Sequence, residues 1–470
     1  MNTYLGNKGY TIIKNELSTE QLKDLKNNLI AKPNIQNNFG PQQKQPTFLI
    51  YRESLQKIYI PRYYGIKHFG LPKKIKIKQG NNIECNFVGS LRPIQQPVVE
   101  AFINNIFNGG GLLELPCAFG KTVLSLYIIS VLKKKTLIIV HKEFLMNQWI
   151  ERIEQFIPNM RIGKIQGQII DIENKDIVIG MLQSLSMKDY PCELFDSFGF
   201  TIIDEVHHIS SEVFSCALFK IVTPVMLGLS ATMNRKDGTT EVFKMFLGDI
   251  IFKGKREEEH NVIVKAYDYC VNDDEFNELK TDYRGNVQYS TMISKLCTYN
   301  RRSEFILQII DSTFKENNNQ QMMVLAHNKN ILKYLFDAIS YRGIANGSVG
   351  YYIGGMKEVD LKLTESKKVV IATYSMAAEA LDIKSLTTLL MATPKTDIEQ
   401  AVGRILREKH TNPVVIDIID QHLPFRNQWR KRKTFYKKQN YKIVHQSKDT
   451  EENTKEDLPG KCLFTISKSM

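Results

Sequence analysis

Short apolar runs alternate with amphipathic stretches along the chain from about residue 90 onward. Five β-rich runs stand at 111–116, 136–141, 176–181, 200–205 and 225–232, and helical stretches such as 146–156 lie between most of them. After a polar segment the rhythm resumes, with runs at 262–269, 321–328, 369–375, 387–394 and 413–420. Strands that alternate with helices are typical of a doubly wound α/β fold with a buried parallel sheet. The pattern therefore predicts two α/β domains in tandem, over residues 86–250 and 251–425.

The N-terminal region follows another pattern. Residues 18–29 have helical periodicity, and their first four residues, Ser-Thr-Glu-Gln, have the spacing of a capping box. A loop rich in Asn, Gln and Pro follows at 32–46, and the alternating Lys and Ile at 74–78 are typical of an edge strand. Residues 1–85 are therefore predicted to form a small accessory domain. Nucleic-acid binding and a purely structural role are both open for its aromatic and basic residues.

The C-terminal region changes character once more. A run of cations at 426–438 precedes a polar, charged tail. Such a tail cannot bury enough apolar surface to fold, so disorder is expected there. We predict that residues 426–470 form a basic extension outside the second α/β domain.

Composition and charge narrow the class of protein. The 470 residues include 63 Lys and Arg against 50 Asp and Glu, a formal net charge of +13, and 43% of them are hydrophobic. A chain of this composition buries sizeable cores, and its positive charge favours a polyanionic partner. No window reaches the roughly 18 apolar residues of a membrane span. The seven cysteines form no CxxC pair, which argues against a zinc module or a disulfide framework and predicts a reducing, intracellular compartment.

A phosphate-binding loop is predicted where the first β-rich run ends and a helix begins. The run from Leu115 ends in Gly120-Lys121-Thr122. Backbone N–H groups at a helix N-terminus bind phosphate, the lysine would reach the β- and γ-phosphates, and the threonine hydroxyl would ligate Mg²⁺. Leu115 and Ala118 depart from the glycine-rich pattern of such loops. A Gly-Lys pair that starts an ordinary helix is the alternative for this segment alone.

An acidic pair stands at the end of a second apolar strand. Asp204 would hold Mg²⁺, and Glu205 would orient and deprotonate the attacking water. For His207, a role in coupling fits better than zinc binding, because no further ligand has suitable spacing. Ser230 and Thr232 end the next strand and are predicted to belong to the same site. The alternative is a surface turn in which acidic residues happen to follow a strand.

The second half of the chain offers cations for the same site. The run 397–407 is predicted to be a helix that places Gln400, Arg404 and Arg407 on one face. Arginines supplied from a second domain can stabilise the charge that develops on a γ-phosphate. Asp382, which follows another buried strand, could face the same cleft. Solvated or ion-paired arginines are the alternative interpretation.

Taken together and in order, these segments resemble the motifs of superfamily 2 helicases. Arg92-Pro-Ile-Gln95 resembles the adenine-reading motif and LPCAFGKT motif I. HKEFLMNQW and MLQSLSM resemble the strand-tracking motifs, DEVH motif II, LSAT motif III, IATYSMAAEALDI motif V and QAVGRILR motif VI. Several of these motifs are most similar to the xeroderma pigmentosum group B branch. The layout is similar to that of the transcript-release helicases of poxviruses and other large DNA viruses.

The resemblance implies two RecA-like domains and a DNA-dependent ATPase that translocates 3′ to 5′. It implies that ATP and Mg²⁺ are the cofactors. Its implied site residues are Arg92, Gln95, Gly120, Lys121, Thr122 and Asp382 for nucleotide binding, Asp204, Glu205, Gln400, Arg404 and Arg407 for catalysis, and His207, Ser230 and Thr232 for coupling. Ala380 replaces a glycine that motif V usually has. For a viral member the host cytoplasm is the expected location, with the virion and the nucleus left open.

Nucleic-acid contacts are predicted from the tracking motifs and from the basic flank. The residues concerned are Gln183, Ser184, Arg235, Trp429, Arg430, Lys431, Arg432 and Lys433, of which the last five interleave an aromatic side chain with cations. DNA, double- or single-stranded, is the expected partner, with RNA or a DNA:RNA hybrid as alternatives. RNA polymerase or transcription factors are further expected partners, and a monomer is expected.

Three functions remain open from the sequence. The first is an ATP-driven DNA helicase or translocase serving viral transcription, repair or recombination. The second is an RNA-directed helicase. The third belongs to another class: a nucleotide-gated binding module with a degenerate phosphate loop that acts as a transcription cofactor.

Overall fold

The computed structural model describes residues 2–33, 47–116, 119–208, 211–233, 238–254, 261–379, 383–408 and 410–446. In these residues a small N-terminal region precedes two larger α/β domains. The N-terminal region contains β1 (Thr3–Gly6), β2 (Gly9–Ile13), α1 (Thr19–Asn28), β3 (Ile30–Ala31), β4 (Phe48–Leu49), β5 (Arg52–Glu53), β6 (Lys57–Ile60), α2 (Arg62–Phe69) and β7 (Lys74–Ile75).

The N-terminal region is a five-stranded sheet in the order β5-β6-β2-β1-β7, flanked by α1 and α2. Helix α1 begins after Ser18, whose hydroxyl accepts a hydrogen bond from the Gln21 backbone N–H, while the Gln21 side chain accepts one from the Ser18 N–H. The capping box and its helix are therefore confirmed. The predicted edge strand is present as β7, which pairs in parallel with β1 but includes only two residues.

The first α/β domain surrounds an eight-stranded sheet. Its elements are α3 (Gln96–Asn104), β8 (Gly110–Glu114), α4 (Lys121–Leu132), β9 (Thr136–Val140), α5 (Glu143–Phe156), β10 (Ile162–Gln166), β11 (Ile169–Ile170), β12 (Ile177–Met181), α6 (Leu182–Met187), β13 (Phe200–Ile203), α7 (Ser211–Leu218), β14 (Val225–Ser230), α8 (Thr240–Leu247) and β15 (Ile250–Lys253).

This sheet has the strand order β11-β10-β12-β9-β13-β14-β8-β15, and all pairs are parallel except β10 with β11. Alternate residues of its central strands enter different hydrophobic clusters, which lie on its two faces. Because β8, β13 and β14 are neighbours and parallel, the segments that follow their carboxyl ends lie side by side. All five strands predicted for this half are present.

The N-terminal sheet and the first α/β domain share one core. A single hydrophobic cluster contains Tyr10 and Ile60 from the small sheet together with Leu218 and Phe246 from the larger domain. The half-buried guanidinium of Arg62 donates to the backbone carbonyls of residues 224, at 2.9 Å, and 223, at 3.4 Å. The small sheet is thus packed firmly against the domain that follows it.

The second α/β domain surrounds a seven-stranded sheet. Its elements are β16 (Ile263–Tyr269), α9 (Asp274–Asn277), α10 (Tyr289–Thr298), α11 (Asn300–Glu316), β17 (Met322–Ala326), α12 (Lys329–Arg342), β18 (Val349–Tyr352), α13 (Glu358–Glu365), β19 (Val369–Thr373), α14 (Tyr374–Glu379), β20 (Thr388–Met391), α15 (Glu399–Gly403), β21 (Val414–Asp420), α16 (Leu423–Lys438) and β22 (Lys442–Gln446).

This second sheet is parallel throughout, in the order β18-β19-β17-β20-β21-β16-β22, and the five strands predicted for this half are present. Strand β21 carries two buried carboxylates on opposite faces. Asp417 binds Arg432 of α16, and Asp420 binds Arg302 of α11, each through two hydrogen bonds of 2.5 to 2.8 Å. These ion pairs attach one helix to each face of the sheet.

The structure differs from the prediction of a separate basic extension at 426–470. Helix α16 and strand β22, which span most of 423–446, are integral to the second domain: β22 pairs with β16, and α16 buries Trp429 and Tyr436 in the core. The sequence prediction overlooked this because it weighted the cations more than the apolar residues between them. The polar tail at 447–470 lies outside the described residues.

The predicted α/β class with two parallel sheets is confirmed. No helix in the described part of the chain is both long enough and apolar enough to span a bilayer.

Candidate nucleotide site between the two α/β domains

The predicted phosphate loop connects β8 to α4. Gly120 immediately precedes α4 with a φ of 82°, in the left-handed region that glycine adopts without strain. A Cβ at this position would lie 2.6 Å from the Gln95 side-chain nitrogen. Leu115, in place of the usual first glycine, is buried, and its N–H donates to the Ser230 carbonyl at 2.8 Å. Cys117 and Ala118 lie outside the described residues.

Gln95 and Arg92 bind the phosphate loop at its Phe119 carbonyl. The buried Gln95 amide donates to the Phe119 carbonyl at 2.9 Å, and its oxygen accepts from the Arg92 N–H at 2.9 Å. The Arg92 guanidinium also donates to the Phe119 carbonyl. The predicted nucleotide-binding residues are thus in contact with the loop. In this arrangement the Gln95 amide supports the loop, so reading adenine would require these bonds to be exchanged.

The two principal catalytic candidates meet directly. The Lys121 ammonium lies 2.7 Å from a Glu205 carboxylate oxygen and forms a half-buried ion pair with it. Although 84 positions separate these residues, they come together because β8 and β13 end at the same edge of the sheet. Glu205 has a φ of 49°, an uncommon value for a residue with a Cβ. Such conformations cluster at functional sites.

Asp204 is buried beside this pair. Its two oxygens accept from the Trp149 indole N–H at 2.9 Å and from the Glu205 backbone N–H at 3.0 Å. Burial and the neighbouring Glu205 charge raise the pKa of Asp204, and the nearby Lys121 ammonium opposes this shift. Trp149 was not predicted as a site residue. Trp149 lies on α5, which follows β9, the neighbour of the strand that leads to Asp204. Apart from its place within the tracking motif HKEFLMNQW, the sequence around Trp149 does not indicate a contact with Asp204.

His207 links motif II to the end of β14 and to the second domain. The Ser230 hydroxyl donates to the Thr232 carbonyl at 2.5 Å, so it accepts from His207 Nδ1 at 2.6 Å. This leaves His207 Nε2 as the acceptor for the Gln400 amide, 3.2 Å away. Nδ1 of His207 also lies 3.4 Å from Glu205. A polar chain therefore crosses the domain boundary: an ion pair joins Lys121 to Glu205, a close approach without a hydrogen bond joins Glu205 to His207, and a hydrogen bond joins His207 to Gln400.

The motif VI segment is less regular than predicted. Helix α15 ends at Gly403, and residues 404–406 form a tighter 3-10 turn. Arg404 is buried and Arg407 half-buried. Burial is the main reason that the pKa of Tyr352 is raised to about 12, and the positive charges of Arg404 and Arg407 oppose this shift. Roles for these arginines at the γ-phosphate stay predictions, and Asp382 lies outside the described residues.

The residues available for Mg²⁺ fit that ion. The Thr122 hydroxyl, in the first turn of α4, and the Asp204 carboxylate are hard oxygen donors of the kind it prefers. The described ranges hold no cluster of three or more His, Cys, Asp or Glu residues suited to a metal ion. Magnesium that binds together with a nucleotide needs only one or two protein ligands, because phosphates and water complete its shell.

The residues predicted to contact nucleic acid differ in their exposure. Trp429 and Arg432 are only 8% and 1% exposed, so their assignment to nucleic-acid contact is wrong. Arg430 and Lys431 are exposed, whereas Lys433 is half-buried.

In the tracking motif, the exposed Gln183 donates to the His141 carbonyl at 3.0 Å, and the Ser184 hydroxyl accepts from the Gly167 N–H at 2.9 Å. Ser184, on α6, thus supports the turn between β10 and β11. Arg235 lies outside the described residues.

Two parallel-sheet domains, a phosphate loop paired with a motif II glutamate, and a polar contact from the second domain define an ATPase of the helicase class. Residues 89–235 match the family described as the type III restriction enzyme res subunit. A protein of Acanthamoeba polyphaga mimivirus, named "Putative ATP-dependent RNA helicase L396", is 36% identical over 447 residues, which cover 93% of this chain and 85% of that one. The chain therefore belongs to the superfamily 2 helicases.

Two further similarities are of interest. The DNA 3′-5′ translocase XPB2 of Sulfurisphaera tokodaii is 29% identical over 211 residues, which cover 44% of this chain and 46% of the translocase. The solved structure of the Mycobacterium smegmatis helicase Lhr, bound to single-stranded DNA and AMP-PNP, matches with a TM-score of 0.50 and 15% identity over 72% of this chain and 48% of that one. The predicted tandem RecA-like fold is confirmed.

Proposed function

We propose that this helicase hydrolyses ATP between its two α/β domains and uses the energy to translocate along DNA, 3′ to 5′. The observation that carries the proposal is the polar chain from Lys121 and Glu205 through His207 to Gln400. It connects the phosphate loop and the catalytic glutamate to the second domain. A change at the nucleotide can therefore alter the domain contact, as a motor requires.

The ion pair between Lys121 and Glu205 supplies the first step. An incoming γ-phosphate would compete with Glu205 for the lysine ammonium, since both are anions. Glu205, once released, would accept a proton from the attacking water, whose oxygen bonds to the γ-phosphorus as the bond to ADP breaks. Bound Mg²⁺ would neutralise phosphate charge in this reaction. Asp204, fixed by Trp149, would hold the ion together with Thr122.

His207 and Gln400 supply the coupling. His207 lies between Glu205 and the end of β14, so movement of Glu205 changes the partners available to the imidazole. The Gln400 amide would then be held or released according to the state of the nucleotide. We propose that this contact transmits hydrolysis to the second domain.

DNA is the favoured substrate, on the similarity to the archaeal DNA translocase and on the motifs shared with the xeroderma pigmentosum group B branch. An RNA substrate is the second candidate, because the mimivirus relative is named an RNA helicase. We further propose a role in viral transcription, as a transcript-release factor that contacts RNA polymerase. Repair or recombination is the alternative pathway.

The ATPase rate of the full chain with a panel of nucleic acids tests the proposal. We expect duplex or single-stranded DNA to stimulate phosphate release at least tenfold more than RNA of the same length. Stronger stimulation by RNA would replace the DNA proposal with the RNA-directed one. Turnover unaffected by any nucleic acid, or no turnover, would favour the nucleotide-gated binding module.

Two functional assays complete this test. Displacement of streptavidin from either biotinylated end of a DNA strand measures direction, and we expect release from the 5′ end only. Release of nascent RNA from a stalled polymerase complex measures the proposed pathway. Failure of that release by an otherwise active motor would argue for repair or recombination.

A further inference from the structure

One face of α16 carries cations that the nucleotide site does not use. Arg426, Arg430, Lys433 and Lys437, here called the basic stripe, are spaced four, three and four residues apart, which places them along one side of the helix. Arg426, Arg430 and Lys437 are exposed, and Lys433 is half-buried. At a rise of 1.5 Å per residue the stripe is about 17 Å long.

The stripe has few acidic neighbours. The sequence contains no Asp or Glu from 421 to 448. In the described structure the one carboxylate paired with the stripe is Asp268, 3.9 Å from Arg426. Lysines on other helices have acids one turn away, as in Lys244 with Glu241 and Lys315 with Asp311. On α16 the positions one turn apart carry like charges instead.

This arrangement is unfavourable for the isolated helix. Like charges at i and i+4 repel, as in Arg426 with Arg430 and Lys433 with Lys437. Arg426 also lies in the first turn, where the helix dipole disfavours a cation. A bound polyanion would relieve both effects, because it would neutralise the stripe along its whole length.

The opposite side of the helix fixes the stripe in place. The Arg432 guanidinium donates two hydrogen bonds of 2.8 Å to Asp417, and the Tyr436 hydroxyl donates another of 2.8 Å to the same carboxylate. Because Trp429 and Tyr436 are buried in this interface, no aromatic ring on that side can stack on a base. The exposed side therefore offers charge without base reading.

The course of the chain gives the stripe a direction. Helix α16 follows the carboxyl end of β21 and leads back to the start of the parallel strand β22. Arg426 accordingly lies at the carboxyl edge of the second sheet, the edge from which the chain also leads from β20 towards Gln400. Lys437 lies towards the opposite edge. The stripe thus leads away from the edge that bears the nucleotide site.

We propose that the basic stripe binds the phosphodiester backbone of a nucleic-acid strand on its way to or from the domain cleft. The inference rests on the proposed function and adds a second surface for nucleic acid. Binding at this surface would not depend on the base sequence. At one phosphate per 3.4 Å of a duplex strand, the stripe matches about five phosphates. A lipid surface fits less well, because binding there needs exposed apolar side chains and Leu423 is the one large hydrophobic residue exposed on α16.

Binding of fluorescein-labelled DNA and RNA 30-mers to the full chain, measured by anisotropy at several KCl concentrations, tests the proposal. The variant is Arg430→Gln with Lys433→Gln and Lys437→Gln. We expect at least tenfold weaker binding at 100 mM salt, and a salt slope about 2 to 3 units shallower. The thermal midpoint should be unchanged or higher, because repulsion within the helix is removed.

The matched control is Lys244→Gln with Lys280→Gln and Lys315→Gln, which removes the same charge from two exposed lysines and one half-buried lysine that have acidic partners. It should bind within twofold of wild type; an equal loss of affinity would overturn the proposal in favour of net charge alone. Unchanged affinity and slope in the stripe variant would also overturn it, while leaving the proposed function standing. A wild-type chain that binds no nucleic acid would instead refute the proposed function.

A vesicle sedimentation assay tests the alternative that the basic stripe binds a lipid surface. Wild type and the stripe variant are sedimented with phosphatidylserine:phosphatidylcholine vesicles. Equal sedimentation of the two proteins supports the proposal. Stripe-dependent vesicle binding with unchanged nucleic-acid affinity would overturn it.

Discussion

At the scale of single residues, the charged groups of the site have partners within the protein. Lys121 and Glu205 satisfy each other at 2.7 Å, and the buried Asp204 accepts two hydrogen bonds. Each charged group is therefore stabilised before a nucleotide arrives. In the proposed mechanism, nucleotide binding exchanges Glu205 for phosphate oxygens at the Lys121 ammonium, so the ion pair would respond to the nucleotide.

Lys121→Ala and Glu205→Gln should separate binding from chemistry. We expect Lys121→Ala to lose ATP affinity and turnover together, because the phosphates lose their main cation. Glu205→Gln should retain ATP binding and lower kcat by about 10²- to 10⁴-fold, the usual contribution of a general base. Phosphate release and binding of a fluorescent ATP analogue measure the two effects.

The exposed Glu100 provides a control for these variants. Glu100→Gln should stay within twofold of wild-type activity, since this carboxylate lies on an exposed position of α3. Loss of ATP binding in Glu205→Gln would mean that this glutamate supports the fold of the loop. Unchanged turnover in Lys121→Ala would refute the assigned site.

At the scale of elements, buried ion pairs determine how helices attach to the second sheet. Asp417 is 0% exposed and binds both Arg432 and Tyr436 of α16. Removing one member of such a pair leaves an uncompensated buried charge, which is far more costly than removing both. This carboxylate fixes α16, and with it the direction of the basic stripe, together with the apolar packing of Trp429 and Tyr436.

Asp417→Ala is expected to destabilise the second domain by about 3 to 5 kcal/mol, because Arg432 would remain buried without its partner. The double variant Asp417→Leu with Arg432→Met should recover much of this loss. Thermal unfolding followed by circular dichroism measures both. The control Asp311→Ala removes an exposed pair with Lys315 and should cost less than about 1 kcal/mol. Equal effects of the two single changes would contradict the role given to Asp417.

At the scale of the whole molecule, the chain is organised as two bodies. The N-terminal sheet shares a continuous hydrophobic core with the first α/β domain. The contacts described between the two α/β domains include polar ones, such as Gln400 with His207 and Lys362 with Glu151 at 3.1 Å. The exposed pair of Lys362 with Glu151 contributes little stability and exchanges readily. The N-terminal sheet should therefore move with the first domain, relative to the second.

Arg62→Ala tests this organisation. The side chain is half-buried at the junction, and its two hydrogen bonds to carbonyls of the first domain would be lost. We expect the free energy of unfolding of the first domain to fall by about 2 to 3 kcal/mol, the usual contribution of hydrogen bonds from a charged group. Arg52→Ala, an exposed neighbour that donates to the Cys216 carbonyl at 3.4 Å, should cost less than about 1 kcal/mol. If Arg62→Ala unfolds like wild type, the small sheet is not firmly docked.

Prediction succeeded where the signal was local. The ten short apolar runs became strands because continuous β-rich stretches need burial on both faces, and the Ser18 capping box acts within four residues. It failed for α16. The spacing of Phe425, Trp429, Arg432 and Tyr436 is that of a buried helical face, but a buried arginine is credible only once its carboxylate partner is known. Nothing near Arg432 in the sequence identifies Asp417 as that partner.

The sequence by itself determined the order of the strands and helices, the two α/β domains and the kinds of side chain in the nucleotide site. Each of these features depends on the residues of a short segment. Only the tertiary structure decided which groups meet. Gln400 and His207 are 193 positions apart and come into contact because two separate sheets present their carboxyl edges to each other. Tertiary packing likewise decided which cations of the C-terminal helix face solvent. A charge is buried or exposed according to what packs against it, and that partner lies on another strand.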